Sequence, residues 1–264
     1  MDKRIFRIQY LKNNIFNIKS IPVLVSIVLL IYLFSLISND SLSNSIWSDI
    51  IYVLTNQSGV FCIFLLPFLY LCRNIINIEN EIIIYRFKDF KDWINFQTIN
   101  IVIVSLIYCI LYFGIVFFVL FLCRNKNLNW FLDDILYTMP GIISFSENFS
   151  PMQGILLIFL RYYLILNLIC IILQIMIGSK TTIYKYRFII VAIIYFCFEL
   201  LQSYSIPFVD FDCNVFKYYM ESENYLFTCI MLNIHYIFYF AIYYLFVKDI
   251  LIKKLEVFYD ESNQ

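Results

Sequence analysis

The sequence predicts an all-α membrane protein that crosses the bilayer six times. Three observations carry that prediction. Six apolar stretches, at 21–38, 51–72, 99–123, 155–177, 188–206 and 225–247, come near or exceed the roughly 20 helical residues needed to cross a hydrocarbon core about 30 Å thick. The chain is 62% hydrophobic and only 14% charged, far from the balance of a soluble domain. Of its 19 Lys and Arg, 15 fall on one side of the implied membrane, three on the other, and Arg161 alone lies within a stretch.

The polar segments explain that asymmetry in chain order. Segments 1–20, 73–98, 178–187 and 248–264 share one side and carry five, four, three and three basic residues, whereas 39–50, 124–154 and 207–224 carry none, two and one. Retention of Lys and Arg on the cytoplasmic side puts both termini inside. Acidic residues divide nine to nine, with Glu199 in a span, so the net charge of zero conceals the orientation. The first apolar stretch follows a 20-residue polar lead and has no small-residue cleavage site, so it is expected to remain as a span. The expected division is a cytoplasmic amphipathic segment, 1–20, followed by a transmembrane domain, 21–264, whose tail from 248 is again cytoplasmic.

Within residues 3–19, Ile5, Ile8, Leu11, Ile15 and Ile18 recur at helical spacing, while Lys3, Arg4, Arg7, Lys12, Asn13 and Lys19 occupy other faces. This is the pattern of a basic helix lying in the membrane interface, either with a role of its own or as a plain positive-inside anchor. Segment 73–98 is longer than a turn requires. It opens with Glu79-Asn80-Glu81, and Ile83, Phe87, Phe90 and Ile94 then form a helical stripe with Arg86, Lys88, Asp89, Lys91 and Asp92 around it. Phe87, Phe90 and Trp93 read as anchors for a protein partner or as part of an interfacial aromatic belt.

With these residues in place, the chain resembles the permease subunits of type-2 ATP-binding-cassette exporters, particularly the small permeases of bacterial peptide and bacteriocin-immunity transporters. The resemblance is one of layout, over the whole chain. It implies an N-terminal interfacial elbow helix and a cytoplasmic coupling helix between spans two and three, here Glu79-Asn80-Glu81 with 82–97, that docks on a separate ATPase. Contact with that partner would fall to Glu79, Glu81, Arg86, Phe87, Phe90 and Trp93. This sequence has Ile82-Ile83 where many members of the family carry Gly, and Phe90-Lys91-Asp92-Trp93 where they carry a Pro-Ser break. The resemblance further implies a second permease, either another copy or a related chain, with ATP and Mg bound only on the ATPase. The heavy use of Ile, Phe, Tyr and Asn suits an AT-rich Gram-positive genome, and hence a bacterial plasma membrane. A membrane immunity or sensor protein that binds a peptide without moving it would share these spans.

Catalytic chemistry finds little support. Gly178-Ser179-Lys180-Thr181 lacks the Gly five positions ahead that a phosphate-binding loop requires, since position 173 is Leu. One His rules out the multi-His metal sites of intramembrane proteases, every Asp falls outside the spans, and no span serine carries a Gly-rich elbow. No cofactor, metal or nucleic acid is expected for this chain. Of the eight cysteines, Cys62, Cys72, Cys109, Cys170, Cys197 and Cys229 read as small buried hydrophobes, and Cys123 and Cys213 lie on the outer side, where a pairing is open.

Intramembrane polar groups are the remaining candidates, because a charge in hydrocarbon costs several kcal/mol unless it is paired or hydrated. Arg161 and Glu199 lie at similar depth in spans four and five, with Gln202 one turn beyond Glu199. They form either an ion pair locking the two spans or the lining of an outward-facing peptide cavity. His235, in span six, is expected to be a hydrogen-bonding packing residue, and Asn167, Gln174 and Asn233 to bond between helices. The outer segment 207–224 holds Asp210, Asp212, Glu221 and Glu223 against Lys217 alone, which either attracts cationic peptides or is ordinary solvated charge.

Overall fold

The computed structural model describes residues 3–14, 20–37, 46–56, 59–72, 87, 89–123, 148–177, 182–201, 216 and 223–253. Among these the architecture is helical, with no strand. The elements are α1 (Lys3–Asn14), α2 (Ile21–Ile37), α3 (Ile46–Thr55), α4 (Val60–Cys72, opening with a π turn), α5 (Phe90–Cys123), α6 (Pro151–Ile177), α7 (Thr182–Leu201) and α8 (Tyr225–Lys253, with a π turn at Tyr243–Val247). Helices α5, α6 and α8 are long and apolar enough to cross a membrane. A fourth crossing is added if α3 and α4 count as one bent span, while the apolar parts of α2 and α7, Ile21–Leu33 and Tyr186–Tyr195, are shorter.

The ends of the long helices follow from local chemistry. Ser150-Pro151-Met152-Gln153 forms a capping box: Gln153 N–H donates to Ser150 Oγ at 3.4 Å, and Ser150 N–H donates back to Gln153 Oε1 at 2.8 Å. Proline at the first helical position costs nothing there, so α6 starts four residues before the apolar stretch does. Asn224 caps α8 by accepting from Phe227 N–H at 3.2 Å. Asp89 Oδ1 accepts from Asp92 N–H at 2.6 Å and starts α5.

That start corrects one expectation. Residues 90–97 are not the end of a separate helix but the first turns of α5, which runs unbroken for 34 residues. The reason is local: from Phe90 to Phe113 there is neither Gly nor Pro to stop it. At 1.5 Å per residue α5 is about 51 Å long, so a helix of this length that crosses a membrane extends beyond a hydrocarbon core of about 30 Å.

A second correction concerns 51–72, which is not one straight span. Helices α3 and α4 are bent by 74°. At the two edges of the break, Thr55 donates its hydroxyl to Ile51 O at 2.8 Å and Gly59 N–H donates to the side-chain Oδ1 of Asn56 at 3.1 Å, beside the backbone bond from Val60 N–H to Asn56 O at 2.9 Å. In lipid, backbone groups released at a break must be satisfied from within the protein. Tyr162, on α6, donates to Leu54 O at 2.5 Å, and Tyr108, on α5, donates to Phe64 O at 2.7 Å.

The core forms around that break. Phe64 is 1% exposed, and its ring centroid lies 5.3, 4.8 and 4.3 Å from those of Tyr108, Tyr112 and Tyr162. Phe113 adds edge contacts to Phe159 and Tyr162. By contrast, much of α8 faces outward, with Leu226, Phe238, Leu245 and Phe246 all largely exposed.

Candidate functional site

Helices α6 and α8 are joined by three polar rungs in the same chain order. Tyr225 donates to Gln153 O at 2.8 Å, Arg161 donates to Leu232 O at 2.8 Å, and Tyr243 donates to Gln174 Oε1 at 3.0 Å. Residue numbers rise together along both helices, so the two run parallel.

The middle rung is built on a buried cation. Arg161 is 1% exposed, and beyond its bond to Leu232 O its Nη1 lies 3.2 Å from His235 Nε2 and 3.5 Å from Asn233 Oδ1. The guanidinium carbon sits 4.8 Å over the Tyr236 ring. A guanidinium only donates, so His235 Nε2 must present its lone pair, which assigns the histidine proton to Nδ1. The positive charge is held by a carbonyl, an amide oxygen, an imidazole and an aromatic face. Cation–π contact in a desolvated site is worth about 2 kcal/mol.

The predicted site residues distribute as follows. Arg161 and His235 come together, with His235 half-buried. Glu199 lies on α7 with its side chain outside the described residues, as is all of Gln202, and the described partners of Arg161 belong to α8. Gln174 bonds between helices, and Asn233 accepts from Arg161 at 3.5 Å while its own amide donates within its helix, to Cys229 O at 2.9 Å, as the Asn167 amide does to Tyr163 O at 2.7 Å. Glu79, Glu81 and Arg86 lie outside the described residues, and Phe90 opens α5 with its side chain likewise outside. Phe87 is half-buried. Trp93 is 2% exposed, so it cannot meet a partner in this conformation. The same α5 face carries Ile94 and Phe96 into the interior.

Phe96 is where three segments meet. Its ring lies 5.1 Å from Phe87 and 5.8 Å from Tyr10 of α1, and the Arg7 guanidinium stands 5.3 Å over it. Tyr10 is buried, whereas Ile8, expected on the apolar stripe, is 68% exposed. On α1 the protein buries Tyr10 while Ile8 turns outward. Ile15 and Ile18 lie outside the described residues.

Burial pushes the Tyr10 phenol up to about 12, from an ordinary value near 10. The folded value is the higher one, so the docking contribution is complete below about pH 10 and is lost between about pH 10 and pH 12. Two pK units correspond to about 2–3 kcal/mol. In an alkaline titration of phenolate absorbance, the wild-type curve minus that of Tyr10→Phe should show one group ionising near pH 12. A difference centred near pH 10 would place Tyr10 in water.

Between α5, α6 and α8 lies a cavity of about 280 Å³. Thr98, Tyr163, Asn167, Gln174 and Tyr244 are the polar residues of its lining, and among the described residues no charged side chain lines it. Gln174 is fully buried, and while its Oε1 is engaged by Tyr243, its Nε2 has no hydrogen-bond partner. Leaving such a donor unmet costs about 1–3 kcal/mol.

Six cysteines among the described residues are free thiols. Cys72 and Cys170 are buried with their Sγ atoms 4.0 Å apart, but Cys62 and Cys197 are exposed rather than buried, an outward position that suits an apolar thiol facing lipid. The side chain of Cys123 and all of Cys213 lie outside the described residues. Among those residues no group of three or more His, Cys, Asp or Glu is placed to hold a metal. Comparison of the chain with protein-family models, with curated proteins and with solved structures gave no match.

Proposed function

We propose that this chain is the membrane permease subunit of an ATP-binding-cassette transporter, exporting a peptide, a bacteriocin or lantibiotic, or another hydrophobic compound with ATP hydrolysed on a separate subunit. The observation that carries the reading is the junction at Phe96. A transporter driven from outside itself needs a stiff lever from its cytoplasmic surface into its bundle. Here Phe87, from the segment ahead of α5, and Tyr10 and Arg7 of α1 close on one buried ring at the foot of a 34-residue helix. Push at that foot and the whole of α5 moves with it.

Two further features support six crossings with both termini inside. Basic residues collect on the side assigned to the cytoplasm. Parallel α6 and α8, separated by 178–224, require the chain to return across the bilayer between them, and α7 is the apolar helix available to do so. Transporters of the family the layout resembles use two six-span halves, so the working unit pairs this bundle with a second permease, another copy or a related chain.

The test is capture of the intact membrane complex. An ATPase subunit is expected to co-purify, and Lys91→Glu, an exposed charge reversal on the first turn of α5, should cut its recovery about tenfold at unchanged permease abundance. A purified, active particle without any ATP-hydrolysing subunit would overturn the reading, as would labelling that reaches residues 79–97 only from outside the cell. A peptide-binding immunity protein would be recovered with no ATPase at all.

A further inference from the structure

We infer that the cavity between α5, α6 and α8 is a binding site for an acyl chain that bears a carbonyl at its head and an anionic group just beyond. Its volume of about 280 Å³ equals about nine units of the roughly 30 Å³ that a water-sized group occupies, the bulk of a medium-length chain. It follows α6 from Tyr163 to Gln174, eleven residues or about 16 Å, and is walled by Ile101, Leu164, Ile171 and Phe240. Val102 and Tyr244 line it and are also exposed, so its open side faces outward from the bundle, toward lipid. A chain enters from the bilayer without crossing water.

Two groups at one end specify the head. Gln174 lines that end with its Nε2 buried and unpartnered, and a turn of the side chain offers this donor to an entering carbonyl oxygen. Lys248 stands nearby, its Nζ 5.4 Å from the ring of cavity-lining Tyr244 and 2.6 Å from Asn95 Oδ1. Among the described residues no carboxylate pairs with Lys248, so its cation is available to an anionic head group. Acyl chain, carbonyl and anion in that order describe an anionic glycerophospholipid, and equally an N-acylated peptide with a free carboxylate. This site is independent of the ATPase junction.

Photo-crosslinking of the purified full-length protein in phosphatidylcholine nanodiscs tests it. Three probes carry a diazirine on the chain: a phosphatidylglycerol, a phosphatidylcholine and a plain alkane. The phosphatidylglycerol probe should label residues 163–174 at least fivefold more than the alkane. Gln174→Leu should abolish the preference for carbonyl-bearing probes, and Lys248→Gln the preference for phosphatidylglycerol over phosphatidylcholine. Val102→Trp, which fills the open side, should remove labelling of 163–174 while sparing the outward-facing Phe238; if that variant does not accumulate, Val102→Phe serves. Competition by excess N-decanoyl dipeptide assigns the chain to an acylated peptide, and failure to compete assigns it to a membrane lipid. Equal labelling of 163–174 and Phe238 by all three probes, or labelling indifferent to the residue at 102, would overturn the site.

Discussion

Phe64→Ala is expected to destabilise the folded bundle by about 3–5 kcal/mol, the largest loss from any single apolar truncation here. Phe64 touches three aromatic rings from α5 and α6 at once, and its own carbonyl is the acceptor for Tyr108. Removing the ring opens a cavity at the point where α4 leaves its 74° bend. In soluble proteins such a loss is read as surrendered burial, but between lipid and a protein interior the transfer contribution is small. The cost is surrendered packing, because each neighbouring ring is left facing a void on the side where Phe64 stood. Reversible unfolding in detergent, followed by helical circular dichroism, measures it. Phe68→Ala offers a comparison, since Phe68 meets Tyr108 alone among the rings of this cluster, and should lose less. A loss below about 1 kcal/mol for Phe64→Ala would mean the rings do not pack as described.

Such a cluster was beyond reach from the sequence, for a physical reason. Helices apolar on every side have no moment to orient them, so the residues that face protein cannot be told from those that face lipid. Trp93 shows this: its residue type and position suit a partner anchor or an interfacial belt, and it is buried in the bundle instead. All-helical character and membrane insertion were legible, because length and apolarity alone decide them. Two missed boundaries were also legible. Ser150-x-x-Gln153 is a capping signature in plain sight, and four consecutive small or polar residues at Asn56–Gly59 mark a break within an apolar run. Arg161 was identifiable as a buried cation, but its neighbours depend on the rotation of α6 and α8 about their axes, which no pattern in either helix encodes.

Arg161→Ala is expected to cost about 2–4 kcal/mol, and the direction needs argument, because deleting a buried charge also deletes the penalty for burying it. Were the guanidinium poorly held, alanine would stabilise. It is not poorly held: a carbonyl, an imidazole lone pair and an aromatic face surround it, with Asn233 Oδ1 near the limit of bonding distance. Truncation empties the volume of a long side chain and leaves His235 Nε2 without this donor, and the middle of the three rungs between α6 and α8 goes with it. Arg161→Lys should recover only part of the loss, since a single ammonium cannot both lie flat on Tyr236 and reach two acceptors. The decisive measurement is a double-mutant cycle of Arg161→Ala with His235→Leu in the detergent unfolding assay. Residues in contact couple by about 0.5–3 kcal/mol, so additive losses would show that the α6–α8 contact is not made. On the proposed transporter reading, a cluster that serves only as a lock leaves transport in each variant tracking the amount of folded protein, and a variant that folds normally yet changes the concentration dependence for the transported compound would put Arg161 on the pathway.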